Sequence, residues 1–124
     1  MKIEKKRLHL SHHNLGIFYQ QQKQVEQAEF HYHEALRLCP DFVETLYNLG
    51  NLYRESGYVE LAIEYYQKAL LINPNYAYAY NNLGNILKEQ GQFSQAISCF
   101  KQAIQVQPDF SFPYNNLGEV LKMI

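Results

Sequence analysis

The tripeptide Asn-Leu-Gly occurs four times, beginning at Asn14, Asn48, Asn82 and Asn116, and each start lies 34 residues from the next. A unit of that length cannot bury an apolar face by itself, so self-similarity at this interval requires each unit to stack on its neighbour. The expected architecture is a solenoid, with binding chemistry on a surface and not in an enclosed pocket.

Aligned on the period, the chain holds full units at 9–42, 43–76 and 77–110, preceded by eight residues and followed by a stub at 111–124. Further positions fall into register. The eighth is Gly16, Gly50, Gly84 and Gly118, the twentieth Ala28, Ala62 and Ala96, and the twenty-fourth Tyr32, Tyr66 and Phe100. The twenty-seventh is Ala35, Ala69 and Ala103, and the thirty-second Pro40, Pro74 and Pro108. Within one unit Leu46, Leu49, Gly50 and Tyr53 recur at helical spacing, as do Ala62, Tyr66 and Ala69, which predicts a pair of amphipathic helices with Gly57 between them. A mid-helix glycine costs roughly 0.5 to 1 kcal/mol against alanine. Close packing of Gly50 against Ala62 is expected to offset it. Pro74 ends the second helix of its unit, because proline lacks the amide donor and clashes with the preceding turn. Asp41 and Glu44 have capping-box spacing for the helix that follows. Lys23 stands where later units have Gly57 and Gly91, at a turn that favours left-handed backbone.

Composition bounds the function. A formal net charge of -1 offers no basic face for nucleic acid. Most of the eleven tyrosines, among them Tyr19, Tyr53 and Tyr66, sit at repeat core positions and not along a basic groove for base stacking. No apolar run approaches the ~20 residues of a membrane span, and the start lacks a signal-peptide core, so the expected compartment is the cytoplasm. Cys39 and Cys99 occupy unrelated repeat positions, which indicates neither a disulfide framework nor a metal set. His9 and His13 have the i, i+4 spacing of a shared metal, but no third ligand completes a set; a solvated helix face is the expectation, with no metal or other cofactor. No nucleophile is arrayed with a His and an acid, no phosphate loop is present, and the chain is not expected to be an enzyme. His12 takes the place filled by Leu46, Tyr80 and Tyr114, a polar choice suited to a side no earlier repeat covers, so the N-terminus reads as a true end.

The repeated positions together resemble the tetratricopeptide repeat, whose helix-turn-helix signature runs through a large apolar residue, Leu-Gly, Tyr, Ala, an aromatic, Ala and Pro. The resemblance implies a single all-α domain over 1–124, a right-handed α-solenoid of antiparallel helix pairs with three and a half repeats and seven helices. It further implies a protein-interaction scaffold that binds a protein or peptide partner in a concave groove lined by the first helix of each unit. Carried over position by position, that groove holds Asn14, Tyr47, Asn48, Asn51, Arg54, Asn81, Asn82, Asn85, Lys88, Asn115 and Asn116, with His13, Ile17, Glu44, Glu55, Tyr78, Glu89, Phe112, Glu119 and Lys122 alongside. A primary amide offers an acceptor and donors at once, matching a peptide main chain.

The segments Leu46 to Gly57 and Tyr80 to Gly91 look like repeats of the O-linked N-acetylglucosamine transferase arm, where an asparagine ladder at the sixth position grips substrate peptide. The matching residues are Asn14, Asn48, Asn82 and Asn116. Idealised repeats carry the same asparagines, so scaffold support is the alternative reading. A substrate-recruiting arm whose catalytic part lies outside this chain is the alternative function. The Lys and Arg of a carboxylate clamp are replaced by residues such as Tyr78 and Asn82, so a free C-terminal carboxylate is not the expected ligand. The stub ends with Tyr114, Leu117, Gly118 and Leu121 patterned to meet a further helix. The expectation is a piece of a longer protein, with self-association through the uncapped helix as the alternative.

Overall fold

In the computed structural model the backbone is described from residue 2 to 124 and side chains from residue 7. The described residues form seven α-helices and no strand: α1 (Lys2–Gln21), α2 (Val25–Leu38), α3 (Val43–Glu55), α4 (Val59–Ile72), α5 (Ala77–Glu89), α6 (Phe93–Val106) and α7 (Ser111–Met123). The chain divides into two compact units, Met1–Ile72 and Asn73–Ile124. In the first, α1 packs on α2, α2 on α3 and α3 on α4; in the second, α5 packs on α6 and α6 on α7. The first helix runs back through residues that precede the repeat frame.

The centre of each pair is an aromatic ring. Tyr32, Tyr66 and Phe100, the twenty-fourth positions, are fully buried together with the alanines at the twentieth and twenty-seventh. Against each ring lies the repeat glycine. A Cβ on Gly16, Gly50 or Gly84 would come within 2.5, 2.6 and 2.6 Å of Tyr32, Tyr66 and Phe100 respectively. The atoms nearest to Gly50 are those of the Tyr66 ring, a neighbour that the spacing did not name: the glycine makes room for a flat ring, which gains more contact than a small side chain would.

The turns inside the pairs share one geometry. Lys23, Gly57 and Gly91 all have positive φ, at 60°, 88° and 78°. The Lys23 and Gln24 amides donate to the carbonyls of Gln20 and Tyr19, and Gly57 and Tyr58 do the same to Arg54 and Tyr53. These bonds satisfy helix-end carbonyls in the manner of a Schellman motif, and Tyr58 adds the accompanying apolar contact with its ring against Tyr53. Lys23 thus occupies the left-handed turn position that its alignment with the glycines predicted.

The start of α3 is not a capping box. Phe42 is its N-cap residue and no side chain caps the helix; Asp41 accepts instead from the Cys39 thiol. Phe42, Tyr76 and Phe110 precede α3, α5 and α7 alike, and an aromatic there serves packing: Phe42 contacts the rings of His9 and His13. In the second unit Ala96, Phe100 and Val120 form a buried cluster on which Leu87, Phe93, Ile97 and Leu117 pack. Leu117 therefore faces inward, while Tyr114, Leu121 and Ile124 remain exposed.

Candidate functional site

The predicted binding residues lie on α1, α3, α5 and α7, the first helices of their repeats. In the first unit, Asn48 is half-buried on α3 and hydrogen-bonds with the Tyr32 hydroxyl, which itself donates to Gln20 Oε1 at 2.6 Å. Burial and the nearby Glu55 carboxylate push the Tyr32 hydroxyl well above the ordinary tyrosine range, so it stays a neutral donor. Asn48 and Tyr32 line a hollow of about 380 Å³ with Ile17, Gln20 and Glu55. Gln20 also donates to Glu55 across the helices at 3.1 Å. Asn51 accepts from the Tyr66 hydroxyl. Tyr47 and Arg54 are half-buried on the same helix, and the Tyr47 ring leans on Tyr66.

In the second unit the asparagines bond one another. Asn116 Nδ2 on α7 donates to Asn81 Oδ1 on α5 at 2.9 Å, and Asn81 is only 6% exposed, so this amide ties two helices and is not an open contact. Lys88 Nζ meets Glu119 Oε2 at 2.8 Å, and the bond with Lys88 holds the Glu119 carboxyl below the usual carboxylate range. Asn82 and Asn85 are half-buried on α5, and Asn115 is exposed on α7 as Asn14 is on α1.

Two features go beyond the residues read from the sequence. His13 was aligned with the groove, yet it is buried, with Nδ1 2.7 Å from Thr45 Oγ1, and burial depresses its pKa. The other is a run of rings in the second unit: Tyr76, Tyr78, Phe110 and Phe112 touch in series at centroid distances of 5.7, 5.0 and 5.9 Å. The aromatic ending every repeat at Phe42, Tyr76 and Phe110 was the available signal.

The remaining reactive side chains are engaged elsewhere. His9 packs edge-on to Phe42, and His12 Nδ1 lies 3.0 Å from His31 Nδ1. Among the described residues no three His, Cys, Asp or Glu side chains converge as a metal-ligand set. Burial raises the Cys99 thiol to about 11 and also raises Cys39, the reverse of an activated nucleophile. No helix among the described residues is long and apolar enough to cross a membrane.

The stacked helix pairs, the ring-on-glycine core and the left-handed turns are those of a repeat protein built for interaction surfaces. The sequence matches the tetratricopeptide repeat over residues 7–72 and 41–109, and the chain belongs to that family. No curated protein matches it. Among solved structures it is similar to the Arabidopsis OM64 TPR domain, with a TM-score of 0.90 at 20% identity over 97% of this chain and 99% of that one. It is also similar to the first TPR of Spaghetti (RPAP3) bound to an HSP90 peptide, with a TM-score of 0.87 at 17% identity over 94% and 93% of the two chains. A Thermobaculum terrenum O-GlcNAc transferase mutant matches with a TM-score of 0.83 at 26% identity, over 94% of this chain and 22% of the transferase. Tetratricopeptide domains of this kind generally mediate protein–protein interaction.

Proposed function

We propose that the chain is a scaffold that holds an extended peptide segment by its main chain, using the amides that the first helices present. The observation that carries the reading is the hollow beside Asn48, where a half-buried amide and the Tyr32 hydroxyl lie next to space on the order of one side chain or a short stretch of backbone. Asn14 and Asn82 extend the pattern at the same repeat position, while Asn116, its fourth member, donates to Asn81. An amide ladder engages backbone acceptors and donors and leaves side-chain choice loose. The Spaghetti complex supports peptide binding by this fold. The acidic tail type of ligand is disfavoured here, because Glu44, Tyr78 and Phe112 stand at the second position, where a basic clamp residue would be needed.

Binding carried by amides is expected to change little between low and moderate salt, since Lys88 is already paired with Glu119. The test is a pull-down with crosslinking, comparing wild type with Asn48→Ala/Asn82→Ala, followed by titration of the peptide recovered. Each alanine is expected to weaken binding by about 0.5 to 1.5 kcal/mol. Indifference of every captured ligand to the double substitution would refute the reading.

The transferase similarity supports a second reading, a substrate-recruiting arm of a glycosyltransferase. Sequencing the reading frame beyond Ile124 tests it: a nucleotide-sugar transferase domain supports the arm, and an early stop removes it.

A further inference from the structure

A larger cleft lies in the first unit beside the asparagine hollow, with which it shares Gln20, Gln21 and Glu55. It has a volume of about 980 Å³ and runs between the turn that joins α1 to α2 and the turn that joins α3 to α4. Its floor is the buried pair Leu52 and Tyr53, and its apolar wall is Tyr58 and Leu61, which are 59% and 38% exposed. Glu26, Glu29 and Glu55 line it against a single lysine, Lys23.

The residues that make this cleft are departures from the chain's own repeat. Glu29 stands at the twenty-first position, where the later repeats carry Ile63 and Ile97. Tyr58 stands at the sixteenth, where the other repeats carry Gln24 and Gln92, and Leu61 at the nineteenth, where they carry Gln27 and Gln95. The fold is built twice with glutamine at both of those positions, so the turn closes without large apolar side chains there; Tyr58 touches Tyr53 along one edge and still leaves most of its ring exposed. Exposed apolar surface with no demand from the fold marks an interaction site. The acid is also fixed in place. Glu29 accepts from the Tyr53 hydroxyl at 2.5 Å, and His33 Nε2 lies 3.0 Å from the same hydroxyl oxygen, so a carboxylate is held at the cleft floor.

We propose that this cleft binds a cationic, amphipathic peptide segment of a partner protein, with a large apolar side chain against Tyr58 and Leu61 and lysines or arginines on Glu26, Glu29 and Glu55. Charge complementarity selects this occupant: three carboxylates beside apolar surface repel an acidic segment and leave a purely apolar one with desolvated charge. The cleft adjoins the hollow beside Asn48 through Glu55 but offers different chemistry, carboxylates beside apolar surface in place of amides. It responds to salt where the ladder does not.

The test uses the full chain and a fluorescent dodecapeptide with four lysines on one helical face and three leucines on the other. Saturable binding is expected, with amide shift changes at Ser56, Tyr58 and Leu61, and at least a tenfold loss on raising salt from 20 to 300 mM, about the size expected for a few ion pairs. Glu26→Lys should weaken it at least tenfold. So should Tyr58→Gln/Leu61→Gln, which installs the residues that the other repeats carry, with circular dichroism expected to match wild type. A peptide with glutamates in place of the lysines should not bind. Absence of saturable binding, shift changes confined to α5 and α7, or indifference to both variants would overturn the proposal. Sedimentation showing that the free chain self-associates, and that Glu26→Lys abolishes it, would assign the cleft to a second copy and overturn the partner reading.

Discussion

The Tyr66 hydroxyl, at the buried centre of the second repeat, donates to the amide oxygen of Asn51 on the facing helix. The third repeat has the same amide at Asn85 but a phenyl ring at Phe100. Asn85 Oδ1 is, among the described residues, the one buried side-chain polar atom without a hydrogen-bond partner. In the first repeat the ninth position is Ile17, and the Tyr32 hydroxyl donates to Gln20 instead. A buried acceptor left unmade costs more than an average hydrogen bond contributes. Phe100→Tyr is therefore expected to stabilise the protein by about 1 kcal/mol, and Tyr66→Phe to destabilise it by about 1 to 3 kcal/mol. Urea denaturation of both variants checks the pair; a lower midpoint for Phe100→Tyr would show that the ring pocket has no room for the oxygen.

The repeat glycines should separate into two kinds. At Gly50 an added Cβ meets the Tyr66 ring at 2.6 Å, whereas at Gly118 it meets nothing within 4 Å. Gly50→Ala is expected to cost about 1 to 3 kcal/mol through overpacking. Gly118→Ala should gain roughly 0.5 to 1 kcal/mol from helix propensity alone. Thermal melts of the two single variants give the comparison, and equal effects would contradict it.

Lys23 holds φ of 60° in the turn where the other repeats use glycine. Lys23→Gly should raise stability by about 0.5 to 1 kcal/mol, because relief of the Cβ clash outweighs the extra freedom glycine brings to the unfolded chain. Gly57→Lys should have the opposite sign. A lower denaturation midpoint for Lys23→Gly would mean that the lysine stem contributes packing that offsets its backbone strain.

These cases show what the sequence carries and what it leaves out. Helix pairs and the left-handed turn at Lys23 follow from a period repeated within one chain, since each position is read several times over. The Tyr66 ring against Gly50 was not legible, because spacing says which residues share a face but not which ring lies flat across it. The capping box at Asp41 failed for a similar reason: Phe42 packs on His9 and His13, and tertiary packing overrides a local hydrogen-bond option. The fate of the asparagines was legible only as a list. That Asn116 is spent on Asn81 depends on two helices meeting, as does the cleft formed where Tyr58 and Glu29 come together.

His13 sets a pH dependence. Burial lowers its pKa from the ordinary histidine value, with Glu44 opposing and His9 adding to the shift. Between the depressed folded value and the unfolded one, near 6.5, the unfolded chain binds more protons, so stability rises with pH across that window. Acidification should destabilise the chain from about pH 6.5 downward. His13→Asn, whose amide can still meet Thr45, should flatten the slope between pH 7.5 and 5.5. Denaturation midpoints at three pH values for both proteins decide the matter, and an unchanged slope would assign it to other histidines.

The last helix carries an apolar strip that its own chain does not cover. Leu121 is 55% and Ile124 69% exposed, while Leu117 and Val120 on the other side of α7 reach the Phe100 cluster. Apolar surface in water disfavours the free state by about 25 cal/mol per Å². The 124-residue chain is therefore expected to self-associate through α7 as its concentration rises. Leu121→Glu should make it more monomeric and leave its helicity nearly unchanged, because that side chain stands on the open side of the helix and Val120 supplies the packing. Sedimentation velocity over a hundredfold concentration range, with circular dichroism on both proteins, gives the answer. A strict monomer for the unmodified chain at the highest concentration would sink the prediction, and a loss of helicity in Leu121→Glu would place Leu121 in the packing of α7.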